Sequence, residues 1–216
     1  MKYRLCYEIK GPLCFLSHLE IMRLWQRAML RSGLPIAWSN GFNPRPKISL
    51  GPARSVGIEG EKEYLDVEFQ GGVETADLGD ILNGILPEGV RVLSLRPLAE
   101  GEKRLEAVIN EAAYRVRFKN GVPADLKGKI DAFLAEEHCF YLRKSPKGEK
   151  EIDLRGYVSA MTLCEDGFLL DVRLGNGGSL RVAELLTVFA YWDIIKEIKI
   201  ERTGLFISDG EKRQTP

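Results

Sequence analysis

Two histidines, four cysteines and a run of cations free of acids are where this 216-residue chain could do chemistry. His18 follows Ser17 in "FLSHLEIMRLWQRAMLRSGLP", at the first turn of a helix whose apolar arc it shares with Met22 and Trp25. The positive end of a helix disfavours protonation of an imidazole, so a neutral His18 could act as a general base. The competing reading is a packed ring that hydrogen-bonds to nearby backbone. His138, opening a strand after Glu137, reads as structural.

The cations are unevenly placed. Net charge is zero, yet residues 1–60 hold nine Lys/Arg against three Asp/Glu, and residues 21–58 hold six cations and no acid. A local basic region on a neutral protein points to a specific anionic partner, such as a nucleic-acid backbone or a phosphorylated ligand; a solvated cationic face is the alternative. Its centre is "SNGFNPRPKISLGP", residues 39–52. There Asn40-Gly41 accepts a tight turn, while Pro44 and Pro46 stiffen the chain and remove two amide donors. Such a strap would hold Arg45 and Lys47 outward at small ordering cost, with Asn40, Phe42 and Asn43 beside them and Phe42 free to stack on a base or to pin the strap. An irregular hairpin whose prolines protect a sheet edge is the competing reading.

Other constellations carry less. Cys6, Cys14, Cys139 and Cys164 form neither a CxxC pair nor a Cys/His cluster, against a zinc or iron–sulfur site in this chain, and read as reduced, mostly buried thiols. Asp66 and Glu68 share a strand face as exposed residues. Asp153 and Arg155 lie two apart on one strand face, either extending a polar site or forming a surface ion pair. "GNGGS" at 175–179 could cradle an anion but lacks the Lys-Ser/Thr of a P-loop.

The elements that must position these residues follow from periodicity. With 44% hydrophobic and 29% charged residues the chain reads as globular, in two small domains. No apolar run approaches a membrane span and "MKYRLCYEIK" has no signal-peptide centre, so a cytoplasmic protein without a membrane partner is expected. Tyr3, Leu5, Tyr7 and Ile9 alternate as a strand. Ser17 and Glu20 make a capping box, and Gly33 before Pro35 ends the helix. In that helix Ile21, Leu24, Trp25, Ala28 and Met29 share an apolar arc opposite Glu20, Arg23, Arg27 and Arg31. Strands at the strap and "EYLDVEF", a helix through Leu78 to Leu86, and "VRVLSLRPL" complete a strand–helix–strand–strand–helix–strand order. The expected fold is α+β, tandem ferredoxin-like (βαββαβ) halves with the second decorated. The domains are residues 1–100, a linker over 101–112, and residues 113–216, the last with a helix over Pro123–Glu136, a strand pair turning at Asp166-Gly167 and a helix over Ser179–Trp192.

The stretch "FLSHLEIMRLWQRAMLRSGLP", then "SNGFNPRPKISLGPARSVGIEGEKEYLDVEF" and "KEIDLRGYV", resembles a bacterial family of radical SAM-linked proteins, uncharacterised in function. The resemblance covers most of the chain and is strongest over residues 15–69. It implies a radical SAM protein as partner, carrying the iron–sulfur cluster and S-adenosylmethionine, since the three-cysteine cluster motif is missing from this chain. The function expected is a noncatalytic accessory that binds RNA or an anionic substrate for that enzyme. The alternative is a metal-independent endoribonuclease of tandem ferredoxin-like type, with His18 as its catalytic residue.

Overall fold

The computed structural model describes the chain outside residues 72–74, 147, 176–178 and 211 and the side chains of residues 75 and 76. β1 (Lys2–Ile9) forms where the alternation predicts, and Tyr3, Leu5, Tyr7 and Ile9 are all buried. Its other face is not solvated as a period-two strand implies, for Arg4 and Cys6 are buried too. The reason lies in the segment after the fourth strand: Glu102 and the carbonyl of Lys103 accept from Arg4 at 3.3 and 3.1 Å.

After a 3-10 turn, α1 (His18–Arg31) opens on the capping box. Ser17 N donates to Glu20 Oε2 at 2.8 Å and Glu20 N to Ser17 Oγ at 3.4 Å. Burying Ile21, Trp25, Ala28 and Met29 fastens the helix to its sheet, with Leu24 only half-buried. The Trp25 ring meets Tyr7 edge-on at 5.0 Å. Then come β2 (Ile48–Leu50), β3 (Glu59–Glu68), α2 (Thr75–Asn83) and β4 (Val90–Pro97). The strands lie in the order β4-β1-β3, with β2 on β3, and every pair is antiparallel; Leu5 stands opposite both Leu65 and Leu95.

Two compact units are formed, Met1–Ile109 with Gly204–Pro216, and Asn110–Thr203. The stretch 101–112, expected as a linker, is therefore mostly part of the first unit: it carries α3 (Leu105–Val108), whose Leu105 is fully buried. The chain from Gly204 onward, expected in the second domain, also belongs to the first unit, where burial of Leu205 gives it a place in a core.

The second unit is built from β5 (Glu111–Phe118), α4 (Leu126–Ala135), a separate hairpin of β6 (Phe140–Ser145) and β7 (Gly148–Asp153), then β8 (Val158–Cys164), β9 (Gly167–Arg173), α5 (Val182–Val188) and the start of β10 (Ile198–Ser208). Its main sheet runs β10-β5-β9-β8. The two-residue β8–β9 turn falls at Glu165-Asp166, one position before the expected Asp166-Gly167, because Gly167 already pairs with Cys164 as the first residue of β9; a Cβ on Gly167 would lie 1.9 Å from the Val116 carbonyl oxygen. The helix expected over Ser179–Trp192 is only α5, because Ala190 adopts φ 58° and breaks it, and Trp192–Glu197 continues as a 3-10 helix. The architecture is α+β.

Candidate functional site

The stretch from Ala37 to Lys47 is an irregular β-hairpin braced at its base. Lys47 N donates to Ala37 O at 2.9 Å, Ser39 N to Arg45 O at 2.8 Å, and Arg45 N to Ser39 Oγ at 3.0 Å. Trp38 bridges to Pro46 and Ile36 to Phe69, while Ala37 N donates to Glu68 O at 2.8 Å. The base is thus tied to the end of β3. Asn40, Gly41, Phe42, Asn43 and Pro44 form the exposed tip, turned by Gly41 at φ 124°. Phe42 has a relative exposure of 106%, so its ring touches nothing that hides it from water. Trp38, which sequence reading passed over, is also exposed; its alternation with the buried Ala37 was the signal available.

The six cations of the acid-free run have different fates. Arg54 is buried and donates to Cys14 O at 3.0 Å. Arg31 is exposed but donates to Ile85 O, just beyond α2, at 2.5 Å. Lys47 pairs with Glu68 at 3.1 Å, an acid that the linear run did not contain. Arg23, Arg27 and Arg45 are exposed and have no carboxylate within ion-pair distance among the described residues. No hydrogen bond or ion pair among those residues joins the arginine stripe of α1 to the hairpin. Arg31 reaches toward α2, whereas the hairpin is fastened to β3.

His18 is the first residue of α1 and half-buried. Its neighbour Glu20 is committed to the cap: hydrogen bonds from Ser17 hold its carboxyl below the usual range, with Arg23 adding to the effect.

Asp153 and Arg155 both lie in the second unit and do not pair through their side chains. β7 ends at Asp153 and the chain turns into a 3-10 helix at Arg155, so the common strand face expected for them does not exist. Asp153 Oδ1 accepts from Cys139 N at 2.9 Å and Arg155 N at 3.1 Å, and Oδ2 lies 2.8 Å from His138 Nδ1. The Cys139 amide and then His138 keep its carboxyl below the ordinary value. Arg155 donates to the carbonyls of Val158 and Leu134. Both residues close a turn.

All four cysteines are free, and burial pushes the thiols of Cys6, Cys139 and Cys164 upward, away from the nucleophilic thiolate. Among the described residues no group of three or more His, Cys, Asp or Glu is placed to hold a metal ion, and no helix is long and apolar enough to cross a membrane. The glycine-rich motif at 175–179 lies largely outside the described residues.

No curated protein matches the chain. A chain from a crystal structure of a Cbf5-Nop10-Gar1 complex superposes with a TM-score of 0.45 at 11% identity, covering 94% of this chain; this chain spans 48% of that one. A family model matches residues 2–182, and the chain therefore belongs to the bacterial family described as "Uncharacterized protein conserved in bacteria (DUF2344)".

Proposed function

We propose that this protein is a noncatalytic binding module that presents the hairpin tip to an anionic ligand, RNA or a phosphorylated substrate, in the service of a radical SAM enzyme in the cytoplasm. One observation carries the reading: Phe42 stands wholly in water on the same hairpin as Arg45, which meets no carboxylate among the described residues, and the base of that hairpin is locked by backbone hydrogen bonds. An apolar ring kept in solvent forfeits about 1.5–3 kcal/mol of burial, a cost a partner surface recovers. A braced base lowers the ordering cost of each contact at the tip. Arg23 and Arg27 add long-range attraction rather than direct grip.

The partner enzyme, with its iron–sulfur cluster and S-adenosylmethionine, comes from the family resemblance of residues 15–69. The fold reading that accompanies it is a ferredoxin-like half in each unit, supported by the strand orders β4-β1-β3-β2 and β10-β5-β9-β8, with the β6–β7 hairpin as the decoration of the second. The test is recovery of the protein with and without the radical SAM partner, followed by identification of bound RNA and small molecules. Recovery of neither ligand nor partner, or retention of both by a Phe42→Ala/Arg45→Glu variant, rejects the reading. Metal-free cleavage of RNA, lost in His18→Ala with no loss of stability, replaces it with the endoribonuclease.

A further inference from the structure

A groove of about 340 Å³ in the second unit is lined by residues of β6, of α5 and of the 3-10 helix that follows, among them Tyr141, Lys144, Arg181, Glu184 and Trp192. Trp192 is 56% exposed, a large aromatic left in water. The acid in the wall is already neutralised: Arg143 donates to Glu184 Oε1 at 2.5 Å and Oε2 at 2.6 Å, and to Ser179 O at 2.8 Å. Both side chains of that pair are largely buried, so it forms a fixed wall. Lys144 and Arg181 are the exposed cations of the rim, and Lys144 is held by Glu149 only at 3.4 Å in a solvent-exposed pair.

We propose that this groove binds one nucleotide unit, its base on the indole of Trp192 and its phosphate between Arg181 and Lys144. The volume falls in the usual range of small-molecule sites, roughly 300–1,000 Å³. An exposed indole offers every base a π-face, and guanidinium and ammonium groups receive a phosphate. A purely apolar ligand would leave the rim cations unused, and a simple anion would leave the indole unused. The inference rests on residues of the second unit and is independent of the hairpin tip in the first.

The test is calorimetric titration of the whole protein with adenosine monophosphate, adenosine, inorganic phosphate and an eight-residue oligoadenylate. Adenosine monophosphate is expected to bind, with adenosine and phosphate each weaker by about tenfold or more. In the Arg45→Glu background, which removes the hairpin tip's own grip on a phosphate, Trp192→Ala and Arg181→Glu should each weaken the mononucleotide by about tenfold at unchanged melting temperature. The oligomer, titrated in the Arg45→Glu background, decides the source. Tighter binding than the monophosphate, lost in Trp192→Ala, assigns an RNA strand; equal or weaker binding assigns a free nucleotide. No binding of either at millimolar ligand, or binding unmoved by both groove variants, overturns the proposal.

Discussion

Arg4 and Glu102 meet at 3.3 Å although 98 residues of sequence separate them. Arg4 is buried and also holds Asp66 through two bonds, at 2.7 and 2.9 Å, while Glu102 takes two more from Arg96, at 2.5 and 3.1 Å. The network pins the chain after β4 across the outer face of β1, which is why a segment polar enough to read as a linker is structural.

Acid should release this clasp. The bonds from Arg96 and the Ala99 amide, with Arg4 nearby, hold the Glu102 carboxyl down to about 2 from its ordinary 4.5. A depressed carboxyl stabilises the fold fully above its unfolded value, and that stability fades as pH falls toward the folded value. Glu102→Gln should therefore melt below the wild type at neutral pH, with the gap closing between about pH 4.5 and about pH 2. A gap independent of pH in a calorimetric series would remove the ionic clasp as its cause.

Arg45→Glu and Lys47→Glu should differ. Among the described residues Arg45 has no acid partner, so its reversal should weaken RNA binding and reduce the salt slope by about 1 while stability changes by less than about 0.5 kcal/mol. Lys47→Glu places an acid against Glu68, where the wild type has a 3.1 Å ion pair, and should also loosen the hairpin. Binding across a salt series, with melting curves for both variants, separates the two outcomes.

His18→Ala should lower the melting temperature by an amount corresponding to about 1–3 kcal/mol, and the wild type should show no RNA cleavage to lose. The ring is half-buried at the first turn of α1, where truncating a side chain that packs against its neighbours costs stability. A cleavage assay on labelled RNA, run beside the melting curve, distinguishes packing from catalysis.

Ser17→Ala should cost about 1 kcal/mol by removing the hydroxyl that accepts from Glu20 N at 3.4 Å. Glu20→Gln, which can still accept from the Ser17 amide, should cost less. Denaturant midpoints of the two variants check the order.

The amino-acid sequence by itself determined the elements whose forces are local. The Ser17–Glu20 cap, the apolar arc of α1, the alternation of β1 and, to within one residue, the β8–β9 turn all depend on residues a few positions apart, so spacing alone reveals them. Partners across the fold were decided only by tertiary structure. Pairing of Ile48 with Val67 sets Lys47 beside Glu68 and turns an acid-free run into a partly neutralised one. Register between β1 and β3 likewise sets Arg4 opposite Asp66 and makes a nominally outer face a buried network. The break of a long amphipathic pattern at Ala190 escaped the sequence because nothing in an alanine announces a left-handed backbone; the surrounding packing imposes it. Periodicity tells which face of an element is apolar, while strand register and docking decide which charges meet.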